Sequence, residues 1–564
     1  MIKKWWMESI GYQIYPKSFK DTNHDGIGDL NGIIEKLPYL HDLGVDLIWI
    51  CPVYDSPMDD NGYDVRDFYN IDPMFGDLDD MKRLIHQAKQ LNMKIVMDYV
   101  LNHTSDEHPW FLESRKSIDN PYRDYYIWQE GKEKDGKLVE PTNWGSFFGG
   151  SCWNYDALTN SYYMKIFSNK MPDLNWKNPI VRQEMIKVGQ WWLDLGIDGF
   201  RIDAVSHLDR APFEDVLNAT DRYPLDYFKF SNLPKVHDYL KEMNEKLFTP
   251  NDCLTIGEVG GQASIESAVS YAGFDSKQMS MVFNFDHDWC NNLSDIDSYD
   301  DLVTNVIDLK KVFIKWQEGF KGKGWLPLNW LNHDQPRLMS QYGRTKFFNQ
   351  SGKMLATLMY MMRGTPFVYQ GEEIGMMNYP FKNVEEFNDI SSKNYYQYLT
   401  EEQKVEPSLA IKKVAMRSRD NGRTPIQWDH SQNAGFSDVK PWMPIHPNYV
   451  TINVQDELND EDSIINHYKL LFQLRKTSKY HEVITYGDIK FLELDDPNLV
   501  VYKRFNENQT LLVICSFLEE EAIYDLSNVE IKSVVLSNEI HKIMNHKIHM
   551  NPYGSVVLEI EENK

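Results

Sequence analysis

Cysteine is scarce in this chain. There are five in 564 residues, Cys51, Cys152, Cys253, Cys290 and Cys515, an odd number with no CxxC pair. That pattern suggests neither a zinc site nor a disulfide framework, and free thiols fit a reducing cytoplasm. Positive charge is also short. Lys and Arg total 59 against 84 Asp and Glu, a formal charge of −25. A field of that sign repels a phosphate backbone and an anionic bilayer, which excludes nucleic acid and membrane lipid as partners. No apolar run approaches the roughly 18 residues that span a membrane. The N-terminus, MIKKWWMESIGYQIYP, has two lysines but no apolar stretch and no small-residue cleavage site. No signal peptide is read there, and the expected location is the cytoplasm. No low-complexity tract or internal repeat stands out.

Aromatic residues are plentiful, at 13% with 16 Trp and 32 Tyr. Most belong to a core, but rings also wall pockets. The length implies two or three domains. A unit recurs along most of the chain: a short apolar strand, a polar loop, an amphipathic helix. Strands are expected at 10–16, 45–50, 94–100, 197–203, 253–259, 281–287, 326–334 and 365–373. Ile33, Leu37 and Leu40 share a helical face, with Gly44 placed to cap it. Met81, Leu84, Ile85, Ala88 and Leu91 repeat at helical spacing. Pro179 opens a helix that runs through Trp191, Trp192 and Leu195 to Gly196.

Eight strand–helix units imply a parallel sheet closed into a (β/α)8 TIM barrel, an α/β fold. Residues 104–173 break the rhythm, being rich in Trp, Tyr, Asn and Gly. They are read as an inserted, loop-rich domain B after the third strand. The barrel domain A then occupies 1–103 and 174–479, with a smaller excursion over about 378–440. Residues 480–564 hold β-branched runs such as NLVVYKRF and TLLVICSF, the pattern of a small antiparallel β domain.

Barrel enzymes place their chemistry at the C-terminal ends of the strands. The third strand carries Asp98 and then Asn102-His103. The fourth carries Arg201 and Asp203, the fifth Glu258, the seventh His333-Asp334. A single carboxylate at such a place is as easily a helix cap or a surface charge. Three of them, flanked by His and Arg on one rim, are another matter, because partly buried charges persist only when paired or functional. Cleavage of a glycosidic bond needs this set: one carboxylate to attack the anomeric carbon, and one carboxylic acid to protonate the leaving oxygen and later activate water. A third binds the sugar hydroxyls, and an adjacent Arg keeps the nucleophile ionised.

DYVLNH (98–103), GFRIDAV (199–205), TIGEV (255–259) and WLNHDQPR (330–337) resemble the four signature regions of the α-amylase superfamily, glycoside hydrolase family 13. GYQIYPKSF (11–19), QGEEIGM (370–376) and RSRDNGRTPIQW (417–428) are similar to its oligo-1,6-glucosidase and α-glucosidase branch. The resemblance covers almost the whole chain. It implies Asp203 as nucleophile, Glu258 as general acid/base and Asp334 as the transition-state stabiliser that grips ring hydroxyls. It further implies that Arg201 positions Asp203 and that His103 and His333 bond the sugar. Asp64 would hold the non-reducing end over Tyr63, with Arg419 as partner of Asp64 and Arg423 the second candidate. A pocket closed in that way is exo-acting and releases one glucose at a time with retained configuration. The partner is then a small oligosaccharide or disaccharide. No organic cofactor is needed, and the oligomeric state is left open, a monomer being sufficient.

In the loop DTNHDGIGD, Asp21, Asn23, Asp25 and Asp29 present oxygens at alternate positions, with the Ile27 carbonyl in reach. The twelfth position is Gly32 rather than Glu, so this is not an EF-hand. The alternatives are a structural calcium ion, which the branch often holds here, and an acidic loop stitched by Asx turns. Two positions depart from the branch: Met171 stands where Gln is usual, and Ala204 follows the nucleophile where α-1,6-cleaving members commonly carry Val. Ala204 leans the expectation towards α-1,4 substrates such as maltose, with oligo-1,6-glucosidase as the alternative. Trehalose-6-phosphate hydrolase would need a basic phosphate pocket, and sucrose isomerase an arginine-rich loop after the seventh strand. Neither is found. A non-catalytic transporter partner would carry a membrane helix and lack the carboxylates.

Overall fold

The computed structural model describes residues 3–259, 263–296 and 298–562. Eight strands alternate with eight helices. The strands are β1 (Gly11–Ile14), β2 (Leu47–Ile50), β3 (Lys94–Val100), β4 (Gly199–Asp203), β5 (Leu254–Glu258), β6 (Met281–Phe283), β7 (Pro327–Leu328) and β8 (Thr365–Tyr369). The helices that follow them are α1 (Leu30–Leu43), α2 (Leu78–Gln90), α3 (Pro179–Leu195), α4 (Pro234–Met243), α5 (Ile265–Ala272), α6 (Val306–Gly319), α7 (Phe348–Tyr360) and α8 (Ile464–Thr477). The strands make one sheet in the order β6-β5-β4-β3-β2-β1-β8-β7, and each pairing whose register is described is parallel. This is the expected (β/α)8 arrangement.

The chain forms two compact units, Met1–Ile48 with Gln90–Met93 and Phe285–Lys564, and Trp49–Lys89 with Lys94–Asn284. In the first, α1 starts at Asp29, whose carboxylate accepts the Gly32 N–H, and stops at Gly44, which takes the left-handed conformation at φ 99°. Both caps answer backbone groups that a helix end leaves without partners. Residues beyond α8 form a five-stranded antiparallel sheet of Asp488–Leu492, Leu499–Phe505, Thr510–Ser516, Ser555–Glu562 and Val529–Ser537. Val501, Leu512, Ile514, Val556 and Leu558 fill its core.

In the second unit, α2 buries Met81, Leu84, Ile85 and Ala88, but it ends at Gln90, so Leu91 lies just past the predicted face. Asn178 caps α3, Pro179 occupies its first turn, and Gly196 closes it at φ 115°. Between β3 and α3 the chain makes a short helix, Pro109–Ser114, and a three-stranded antiparallel sheet of Trp128–Gln129, Ser161–Met164 and Trp153–Asp156.

The seventh strand is much shorter than predicted. It stops at Leu328, so His333 and Asp334 stand on a loop and not at a strand end. Side chains replace the ladder there. Asn332 donates its N–H to Gln335 Oε1 at 3.0 Å and accepts the Asp334 N–H on Oδ1 at 2.8 Å. Such local side-chain bonds compete with strand pairing. Among the described residues no helix is long and apolar enough to cross a membrane. The five cysteines form no disulfide, and all but Cys253 are buried.

Candidate active site

In β4, Arg201 and Asp203 are two residues apart and therefore share a face of the sheet. Gly199 begins the strand because a Cβ there would meet the Leu254 carbonyl oxygen at 2.1 Å, so only glycine lets β4 and β5 close up. Arg201 is level with Asp98 of β3, and Ile202 with Gly257 of β5. The next step brings Asp203 and Glu258 to the ends of neighbouring strands.

Arg201 is the hub. One terminal nitrogen donates to Asp98 at 2.5 Å and to Asp203 at 2.8 Å, and the other donates to Glu258. The Tyr63 hydroxyl lies 3.4 Å from the same guanidinium. Burial alone would lower Arg201; Asp98, Glu258, Tyr63 and Asp203 outweigh it and hold it well above its ordinary value, firmly cationic. Asp98 is wholly enclosed, and burial pushes its carboxyl up to about 6 against the pull of Arg201. It also accepts the Trp49 indole N–H at 2.7 Å, so it acts as a buried anchor for Arg201.

Asp64 is buried too. Its two oxygens accept the Asp59 and Asp60 N–H groups at 2.8 and 3.0 Å, and burial raises its carboxyl to about 6. His103 is enclosed and depressed to about 3 by burial, so it is a neutral imidazole. Its Nδ1 faces the Asn102 amide at 3.2 Å, while its Nε2 is buried with no hydrogen-bond partner among the described residues. Asn102 in turn donates to Asp173 at 3.0 Å, and Arg210 donates to Asp173 at 2.7 Å. Met171 is buried two residues before this Asp173.

The other cluster gathers around Asp334. Arg423 donates to its Oδ1 at 2.7 Å and Arg419 at 3.1 Å, and His333 Nε2 lies 3.3 Å from Oδ2. Burial would raise this carboxyl; His333, Arg419 and Arg423 overcome it and hold it well below the usual carboxylate range. His333 is set by Gln13, 2.9 Å from its Nδ1, and by the Tyr15 ring stacked at 5.8 Å. Asp389, not foreseen from the sequence, receives Arg419 at 2.7 Å and caps the helix Ile390–Gln397 through Ser392. An Asp before Ile-Ser-Ser reads only as a helix cap, which hid its second role. The two arginines proposed as alternatives thus both bond Asp334.

Ala204, directly after Asp203, is left-handed at φ 47°. A side chain in that region is strained, and a β-branched one more so.

In the loop after β1, Asp21 accepts the N–H groups of Asn23, His24 and Gly26 and the Ser437 hydroxyl, while Asp29 accepts Thr22 and Gly32. Asp25 pairs with Asn23 and accepts the Ile27 N–H. The donor types suit a hard cation. As arranged here, the carboxylates are committed to donors of the loop, of the first turn of α1 and of Ser437. Among the described residues no three His, Cys, Asp or Glu groups are placed to hold a metal ion.

The model of the alpha-amylase catalytic domain matches residues 13–487. The chain belongs to the alpha-amylase family. It is a glycoside hydrolase. Within the alpha-amylase family it is 43% identical to an oligo-1,6-glucosidase of Bacillus cereus over the full length of both chains. It is also 43% identical to an α-glucosidase of Pediococcus pentosaceus, covering 88% of each. The crystal structure of a trehalose-6-phosphate hydrolase from Bacillus licheniformis is similar, at a TM-score of 0.91 and 39% identity, covering 99% of this chain and all of that one.

Proposed function

We propose that this glycoside hydrolase is an exo-acting, retaining α-glucosidase that releases glucose from the non-reducing end of short α-glucosides. The observation that carries the reading is Arg201, whose two terminal nitrogens reach Asp203 and Glu258. Asp203 attacks the anomeric carbon as Glu258 gives its proton to the departing oxygen. Water, deprotonated by Glu258, then displaces Asp203 and returns the α configuration. Asp334 is assigned the ring hydroxyls, and His103 and His333 are each assigned a hydrogen bond to the sugar. Tyr63 and Asp64 receive the far end, and Arg419 closes it. Thiols outside any disulfide are in keeping with a cytoplasmic enzyme.

Ala204 supports α-1,4 linkages such as maltose. The relatives named oligo-1,6-glucosidase support the α-1,6 alternative. The deciding experiment is kcat/KM for maltose and isomaltose on one preparation, with the anomer of the released glucose followed by NMR. Faster maltose cleavage with α-glucose first supports the reading; faster isomaltose cleavage moves the linkage to α-1,6. First-formed β-glucose would overturn retention. Activity on neither sugar would direct the search to phosphorylated glucosides.

The alternating oxygens of Asp21, Asn23, Asp25, the Ile27 carbonyl and Asp29 support a structural calcium ion as a second proposal. A chelator should lower Tm and added calcium restore it. An unmoved Tm would reject the ion.

A further inference from the structure

Sixteen tryptophans occur in the chain, and Trp289 is the only exposed one among the described residues, at 72%. It ends a short helical turn, Asp286–Trp289, that follows β6 on the strand's C-terminal side. A single exposed ring is ordinary on a protein surface, so its surroundings decide what it does. This ring is held. The Arg417 guanidinium lies 5.1 Å from its centroid, a cation–π contact. Arg417 is itself fixed, donating to the Asp288 carbonyl at 3.2 Å, to Asn291 at 3.1 Å and to Ser294 at 3.0 Å.

Two links tie this ring to Asp334. Arg417 stands two residues before Arg419, which bonds Asp334, and Gln335, next to Asp334, donates to Asp288, next to Trp289. An exposed indole, propped by a cation and anchored to the loop of a sugar-gripping carboxylate, is a platform for a flat apolar face. The C–H face of a pyranose is such a face, and stacking needs no hydrogen bond that water would compete for.

We infer that Trp289 stacks on an outer glucosyl unit of a longer substrate, on the leaving-group side of the scissile bond. This rests on the exo-acting reading, in which the glycone end is closed and only the leaving side can extend past the rim. Trp289 is thus a determinant of chain-length preference and takes no part in the bond cleavage.

The test is kcat/KM for Trp289→Ala on the disaccharide and the tetrasaccharide of whichever series, malto- or isomalto-, the wild type cleaves. The expected loss on the tetrasaccharide is about five- to twentyfold, with the disaccharide changed less than about twofold. Trp289→Phe should recover most of it. Equal losses on both substrates, or none on either, would overturn the inference while leaving the activity assigned. A wild type inert on both series would remove the functional reading and the inference together.

Discussion

Arg201 and Asp98 meet at 2.5 Å with both side chains essentially out of water. Neither touches solvent, yet Arg201 goes on to hold Asp203 and Glu258, so a fully buried pair sets the geometry of a partly buried one. Breaking such a pair strands a charge at about 3–5 kcal/mol. Asp98→Asn should therefore lower Tm steeply and cut kcat as well, read by calorimetry and steady-state kinetics. An unchanged kcat would show that Arg201 keeps its place without Asp98.

Asp203→Ala should lower kcat at least about a thousandfold with Tm nearly unchanged. Glu258→Gln should fail on disaccharides but retain the first step on aryl glucosides whose leaving phenol needs no proton, seen as a burst of phenol. A Glu258→Gln variant equally slow on both classes would contradict the acid role.

Ala204 sits at φ 47° beside the nucleophile. Ala204→Gly should raise stability by roughly 1 kcal/mol, because glycine accepts this conformation freely. Ala204→Val should do the reverse and shift the isomaltose-to-maltose ratio of kcat/KM upward by about tenfold. Urea melts and the two-substrate ratio check both arms, and a Val variant with an unaltered ratio would remove Ala204 from the specificity argument.

Arg423 and Arg419 bond the same carboxylate but differ in exposure, at 1% and 20% for the side chains. Arg423→Gln should depress Tm and kcat together, since it leaves a buried position unfilled. Arg419→Gln should chiefly raise KM and spare Tm. Similar profiles for the two would mean that they form one structural unit.

Four enclosed histidines carry one part of the pH response. Burial depresses His103, His108 and His467 from 6.5 to about 3, and His207 to about 4. Above 6.5 they are neutral folded or unfolded. As pH falls below that, the unfolded chain gains protons that these native histidines refuse, so their contribution to stability drops until about pH 3–4, each group by at most about 1.4 kcal/mol per pH unit. Carboxyls that burial raises, Asp64, Asp98 and Asp288 to about 6 and Glu372 and Glu457 to about 8, act in the opposite sense over the same range. The test is therefore a difference: between pH 6.5 and 4, His467→Gln, which keeps a partner for Thr357, should gain stability relative to the wild type by one proton's share. A slope unaffected by the substitution would exclude His467 from the pH response.

Much of this was legible in the sequence because barrel strands write their chemistry at their ends. KIVMDYV is a strand over the predicted seven residues, and Asp203 and Glu258 close β4 and β5. Glycine placement was equally readable, since Gly44 and Gly196 do what only an unhindered backbone does. What escaped was long-range. β7 stops after two residues because Asn332 and Gln335 serve their own loop, and no periodicity reports that. Asp389 escaped for the same reason: its partner Arg419 lies 30 positions away. The Asx-turn wiring of Asp21 and Asp29 stood beside calcium as a reading of equal form, since both use the same alternating oxygens.

The cysteines outside any disulfide have a consequence of their own. Burial drives Cys253 and Cys290 up to about 12, and Cys152 and Cys515 higher than the ordinary thiol range. At neutral pH almost none of these sulfurs is the reactive anion, and alkylating or oxidising agents find little to attack. Modification must wait for the chain to open, so the rate at which a thiol dye colours the native protein becomes a clock for its breathing, sulfur by sulfur.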